Sequence, residues 1–199
     1  MIITCHGAGM VKVSHGDLVV VFNPISRDST LKPTKFGADL ALISFNDPLY
    51  NGVEELVFGE RRPFVIDGPG EYERLGTFIH GFPSVGPEGK INTIYSLIVD
   101  GKRLVHLGVL ASAELTPEVK AELAAADILF VPVTGLARAY QLALTLNPHL
   151  IIPVNFTPDL LKKFIKEAGA EEVKPIDKLV VKGKDLVNKE AELVVLEVM

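Results

Sequence analysis

Short apolar runs set off by polar, glycine-bearing turns dominate the first half of the chain. Met10 to Val13 and Leu18 to Phe22 are separated by Ser14-His15-Gly16-Asp17, where glycine suits a positive φ, so the pattern predicts a β-hairpin. Asp39 to Ile43, Phe64 to Ile66 and Thr77 to His80 are further strand candidates. Thr93 to Val99 and Arg103 to Leu107 flank Asp100-Gly101, a strong turn signal, and predict a second hairpin. All-antiparallel pairing fits this region.

The pattern changes after Gly108. Thr116-Pro117 reads as a helix N-cap followed by proline at the first helical position, with Val119 and Leu123 on one face. Ile128 to Val133 is a buried-strand run, and Leu136, Ala139, Tyr140, Ala143 and Leu144 then recur with helical spacing. The alternation repeats. Leu150 to Val154 is strand-like, and Thr157-Pro158 opens a helix with Leu160, Leu161, Phe164, Ile165 and Ala168 on one side, ending near Gly169. Leu193 to Val198 is a final strand candidate. With no linker-like composition and no repeat, residues 1–199 are expected to form a single α/β (α+β) domain whose helices cover sheet faces in layers.

Composition narrows the functional classes. The 199 residues carry 20 basic and 25 acidic side chains, a formal net charge of −5, so nucleic acid and anionic membranes are not expected partners. Mean hydropathy is +0.30, yet the longest apolar runs are strand-sized and too short to span a bilayer. The single Cys5 excludes an internal disulfide or a multi-cysteine zinc cluster, and the opening residues lack a basic and apolar leader, so a reducing cytoplasm is expected.

Seven stretches resemble the metallo-β-lactamase fold superfamily, and within it small bacterial zinc-dependent hydrolases related to ascorbate-6-phosphate lactonase. They are Val21-Phe22-Asn23-Pro24, Ala38 to Ser44 leading into Pro48 to Val53, Ile66-Asp67-Gly68-Pro69-Gly70-Glu71-Tyr72, Asn92-Thr93-Ile94-Tyr95, Val105-His106-Leu107-Gly108, Asp127 to Gly135, and Ile151-Ile152-Pro153. The resemblance implies a four-layer αββα sandwich with a metal site at the loop ends along one edge. There zinc would lower the pKa of bound water to roughly 7 and polarise the scissile group.

Apart from Asp47, which alone could ligate a cation through a charged group, the metal-binding residue types are missing from the matching positions. The H-x-H-x-D-H loop is replaced by Phe45-Asn46-Asp47-Pro48-Leu49-Tyr50, so Phe45, Asp47, Leu49 and Tyr50 stand where the resemblance implies ligands. The next histidine belongs in Gly81 to Gly86, which holds Ser84 but no histidine. The bridging aspartate position is Val109 and the last histidine position is Asn155. The family's Asp-Pro is Asn23-Pro24, and its early Gly-His-Ser/Ala turn is Gly7-Ala8-Gly9.

His6, His15, His80, His106 and His149 are at least nine residues apart, so no contiguous zinc motif replaces the lost one. His15 and His149 read as solvated, and His106 as a structural hydrogen-bonding residue. His6 and His80 are the histidines that could border the old pocket with Asp47. Asp67 and Glu71 read as part of a Gly-Pro-Gly turn, Cys5 as a buried strand-end residue, and His6-Gly7-Ala8-Gly9 as a tight turn. Arg61-Arg62 and Lys182 to Lys184 read as solvated charge.

The expected function is therefore a non-catalytic metallo-β-lactamase-fold protein, a pseudoenzyme without cofactor or metal. It would bind an unknown small molecule or protein at the remnant of the active site, with His6, Phe45, Asn46, Asp47, Tyr50, His80, Ser84, Val109 and Asn155 around it. One alternative is a divergent hydrolase of lactone or phosphoester substrates with zinc or manganese held by Asp47, His6 and His80. Another is a structural or assembly subunit, since the composition is compatible with a homo-oligomer.

Overall fold

The computed structural model describes residues 1–124 and 126–199. In chain order the strands are β1 (Ile2–Cys5), β2 (Val11–His15), β3 (Leu18–Phe22), β4 (Leu40–Leu42), β5 (Phe64–Ile66), β6 (Gly70–Arg74), β7 (Thr77–Val85), β8 (Ile91–Val99) and β9 (Lys102–His106). There follow α1 (Pro117–Leu123), β10 (Ile128–Pro132), α2 (Ala139–Thr145), β11 (Leu150–Val154), α3 (Pro158–Glu167), β12 (Leu179–Val180) and β13 (Glu192–Leu193). They build two sheets, ordered β12-β1-β2-β3-β4-β5 and β13-β11-β10-β9-β8-β7-β6.

Both predicted hairpins form, with Val11 opposite Phe22 in one and Tyr95 opposite His106 in the other. All-antiparallel pairing of the first half is corrected: β3 with β4 and β4 with β5 are parallel. The reason lies in the connections. Residues 23–39 and 43–63 are long enough to carry the chain back to the start of the next strand, which a hairpin turn cannot do. Nor does Leu193 to Val198 form one strand. Only Glu192 and Leu193 pair with β11, after which Leu196 bridges Ile176 and Val198 bridges Cys5 on the first sheet.

Strand alternation divides the apolar residues between three layers. Ile3, Cys5, Val13, Val20, Phe22, Leu40 and Leu42 face Ile79, Tyr95, Leu97, Leu104, Phe130 and Ile152 across the gap between the sheets. Val105, Leu129 and Ile151 point the other way, toward Leu123 of α1, Leu142 and Ala143 of α2, and Phe164 of α3. On the outer face of the first sheet, Met10, Val21 and Ala41 pack under Ile25, Ala38 and the 3-10 turn Val53–Leu56. This is the layered α/β sandwich expected, with an irregular segment as its fourth layer.

The predicted caps form: the Thr116 side chain accepts from the Val119 N–H and the Thr157 side chain from the Leu160 N–H. Helix α2 starts at Ala139, not Leu136, because Arg138 takes a left-handed conformation (φ 57°). Leu144 is exposed instead of joining the apolar face. No helix among the described residues is long and apolar enough to cross a membrane.

Candidate functional site

Strands β1, β3, β4 and β5 run one way, since β2 is antiparallel to both its neighbours, while β9, β10, β11 and β13 are mutually parallel. Segments leaving the C-terminal ends of β1, β3, β4, β9 and β11 gather along one edge, where open α/β sheets place their sites. These segments hold Ala8, Asn23, Phe45 to Tyr50, Val109 and Asn155.

Phe45, Tyr50 and Val109 form a buried apolar cluster there, with Ala8 and Leu49 packed against it. Phe45 meets Tyr50 edge to face, centroids 6.3 Å apart. Asn155 Nδ2 donates to Tyr50 Oη at 3.3 Å, closing the cluster on the β11 side. Burial pushes the Tyr50 phenol above its ordinary range, and the Asn155 hydrogen bond offsets only part of that. Thus Phe45, Leu49, Tyr50, Val109 and Asn155, five of the six implied ligand positions that match a single residue, join one packed assembly.

The remaining position, Asp47, lies on the rim. Its Oδ1 accepts the Leu49 N–H at 2.9 Å, and its backbone carbonyl accepts the Tyr50 N–H, so the carboxylate shapes its own loop. Asn46 Oδ1 accepts from Asn51 Nδ2 at 2.8 Å. Ser84 Oγ accepts from Asn92 Nδ2 at 2.7 Å.

Asn92 is the residue that sequence reasoning passed over. Wholly buried, it donates from Nδ2 to Ser84 Oγ and to the Leu107 carbonyl, and its Oδ1 accepts the Val109 N–H at 2.8 Å. One side chain thereby ties β7 to the segment after β9. Gly108 must be glycine beside it: its φ is +68°, and a Cβ would run into Asn92 Oδ1. Asn23, also left-handed (φ 50°), accepts the Ser44 N–H on Oδ1 and joins the ends of β3 and β4. The available signal was an asparagine inside each of two family-like stretches, Val21-Phe22-Asn23-Pro24 and Asn92-Thr93-Ile94-Tyr95.

His6 and His80 do not border this site, which corrects the expectation for both. On β1, Ile3 and Cys5 face the inter-sheet core, so Thr4 and then His6 turn to the outer face, where His6 Nε2 meets Thr4 Oγ1 and its ring packs near Phe36. On β7, Ile79 faces the core and His80 turns outward on the second sheet, its ring 3.8 Å from that of Phe82. The two sheets and their shared core, about 10 Å thick, separate the imidazoles. The divergent metal site that needed them on Asp47 has no geometric basis.

The other singled-out residues have local roles. His106 Nε2 donates to the Gly9 carbonyl and Nδ1 accepts the Gly108 N–H, a structural use in which burial pushes its pKa down to about 4. His15, exposed, approaches Asp100, and His149, half-buried rather than fully solvated, approaches Asp127. Burial raises the Cys5 thiol pKa, leaving it a poor nucleophile. Gly7 to Gly9 form a tight turn in which Met10 N–H reaches the Gly7 carbonyl. Two expectations change: Glu71 belongs to β6 rather than a turn, and Arg61 is a clamp on Asp39 and the Asp17 carbonyl rather than solvated charge.

A zinc or manganese centre requires three or four nitrogen, oxygen or sulfur donors aimed at one point. Phe45, Leu49 and Val109 offer none, Tyr50 is tied to Asn155, and among the described residues no group of three or more His, Cys, Asp or Glu side chains gathers. The residues present do not fit the metal that the resemblance implies.

Residues 2–155 match the family model described as a beta-lactamase superfamily domain. A comparison with curated proteins gives no match. Among solved structures, the chain is similar to a Thermotoga maritima protein assigned to the Zn-dependent hydrolases of the metallo-β-lactamase superfamily, with 24% identity, 98% of this chain and 97% of that one covered, and a TM-score of 0.75. A metallo hydrolase from the archaeon Ignicoccus hospitalis gives 18%, 91% and 99%, and 0.59. Zn²⁺-bound PqqB from Methylobacterium extorquens gives 14%, 86% and 87%, and 0.56. At these identities the likeness is one of fold.

Proposed function

The chain belongs to the family of beta-lactamase superfamily domains, and from that premise we propose that it is a non-catalytic member that binds a small polar molecule beside a filled-in metal centre. The observation that carries the reading is the packed cluster of Phe45, Tyr50 and Val109 with Ala8 and Leu49. Hydrolysis by this fold needs a water held on a cation, and these side chains stand at positions where the family resemblance implies ligands for it. Apolar groups are stable there without metal, whereas a set of unpaired imidazoles and carboxylates is costly to desolvate.

A cleft of about 350 Å³ opens next to the cluster, lined by Asn46, Asn51 and Asp67 with Ile43, Val53 and Val65. It lies at the C-terminal ends of β4 and β5, and its amides and carboxylate suit a ligand rich in hydroxyl or amide groups. Binding there needs no metal.

Two measurements test the reading. After purification with zinc and manganese supplied, elemental analysis is expected to find far less than one metal per chain. Stoichiometric metal that survives dialysis and disappears in Asp47→Ala overturns the proposal. In a thermal-shift screen of polyols, sugars and small amides, stabilising compounds are expected to lose their effect in Asp67→Ala.

A further inference from the structure

A second cleft, of about 240 Å³, lies on the helix-side face of the second sheet, toward the opposite end of β7 from the candidate site. It arises where the edge strands run out from under the helices: α1 to α3 cover the central strands, and β6 with the start of β7 is left bare. Register and alternation decide what lies there. Phe78, His80 and Phe82 share one face of β7, and Glu71 stands directly opposite His80 on β6. Glu122 of α1 forms the far wall.

We propose that this cleft is a binding site for a small amine, an ammonium group carried on an aromatic or aliphatic body. Three features point to that chemistry. The floor and lip are aromatic: Phe82 packs against His80 with the rings tilted by 35°, and Phe78 leaves 64% of its surface exposed at the mouth, where an aromatic ring can attract a cation and cover an apolar body. The charged lining favours a cation, since it counts two acidic residues, Glu71 and Glu122, against one basic residue, Arg103. Arg103 lies against the Glu122 wall, its Nη1 donating to the Glu122 carbonyl at 3.2 Å, and it makes no ion pair among the described residues. Finally, the Glu71 carboxylate has no hydrogen-bond or ion-pair partner among the described residues, so an incoming ammonium displaces nothing but solvent. The volume lies below the range typical of drug-sized ligands and suits one ring with a short chain.

Phenethylamine and its charge-reversed counterpart phenylacetate are the probes, titrated at pH 8 and followed by calorimetry and by NMR shifts. Saturable phenethylamine binding is expected, with phenylacetate at least tenfold weaker. Glu71→Gln and Phe78→Ala are each expected to weaken the amine at least fivefold, whereas Asp67→Ala, in the other cleft, leaves it unchanged. Both altered side chains lie outside the apolar cores, so circular dichroism should match the parent. Absence of saturable binding, equal or tighter phenylacetate binding, or indifference to Glu71→Gln and Phe78→Ala overturns the proposal. None of these outcomes bears on the metal content of the candidate site, so the two readings fail independently.

Discussion

His106 lies wholly buried between Phe22 and Phe130, with ring centroids 4.9 and 5.6 Å away. Its two ring nitrogens are matched to the neutral form, one donating to Gly9 and one accepting from Gly108. Because burial pushes the folded pKa down to about 4 from an ordinary value of 6.5, the unfolded chain gains the proton first as pH falls. The stability this group supports is full above pH 6.5 and is lost as pH drops toward 4. Urea titrations at pH 7 and pH 4.5 should differ by roughly 2–3 kcal/mol from this source, and that part of the fall should be missing in His106→Gln. Asn92 gives a second residue-scale prediction. Asn92→Ala leaves the Leu107 carbonyl and the Val109 N–H without their partner in a buried place, and should cost about 3 kcal/mol by urea denaturation.

Between elements, the two sheets are joined by more than apolar contact. Tyr95 of β8 directs its hydroxyl at the carbonyls of Ile43 and Ile66, both at 3.0 Å, which follow β4 and end β5 of the other sheet. Tyr95→Phe keeps the ring and removes the tether. A loss of about 1–2 kcal/mol is expected, with faster amide exchange at Ile43 and Ser44. At the opposite ends of β3 and β4, Asp39 accepts the Val19 N–H and a forked contact from Arg61. Burial alone would raise its carboxyl pKa, but the guanidinium and the amide outweigh it and hold it below the ordinary range. An NMR titration of Arg61→Ala should find the Asp39 pKa moved upward. Hairpin elements were legible because turn residues and alternation are local. The β4 and β5 pairing was not, since parallel register depends on long connections with no period of their own. Strand β6 was hidden because Gly-Pro-Gly and a run of charged residues disguise an edge strand solvated on one side.

At the scale of the molecule, the last thirty residues stitch the sandwich together. Strand β12 extends the first sheet beside β1, β13 extends the second beside β11, and Val181, Leu186 and Leu196 enter the core between them. A chain ended at residue 170 should lose near-ultraviolet circular dichroism and aggregate, because the edge of β1 and the core beneath it would be uncovered. The family match ends at residue 155, so this closure is carried by sequence outside it. Order and type of most elements, the two caps and the absence of ligand residue types at Phe45, Leu49 and Val109 were determined by the sequence alone, since each depends on neighbours a few positions away. Tertiary structure alone decided that these three positions close into one apolar cluster with Tyr50 and Asn155, and that Asn92 holds the cluster's frame. It also decided that His6 and His80 lie on opposite outer faces. The physical reason is strand alternation within two packed sheets: a shift of one residue sends a side chain to the other face, and only the assembled register fixes which face that is.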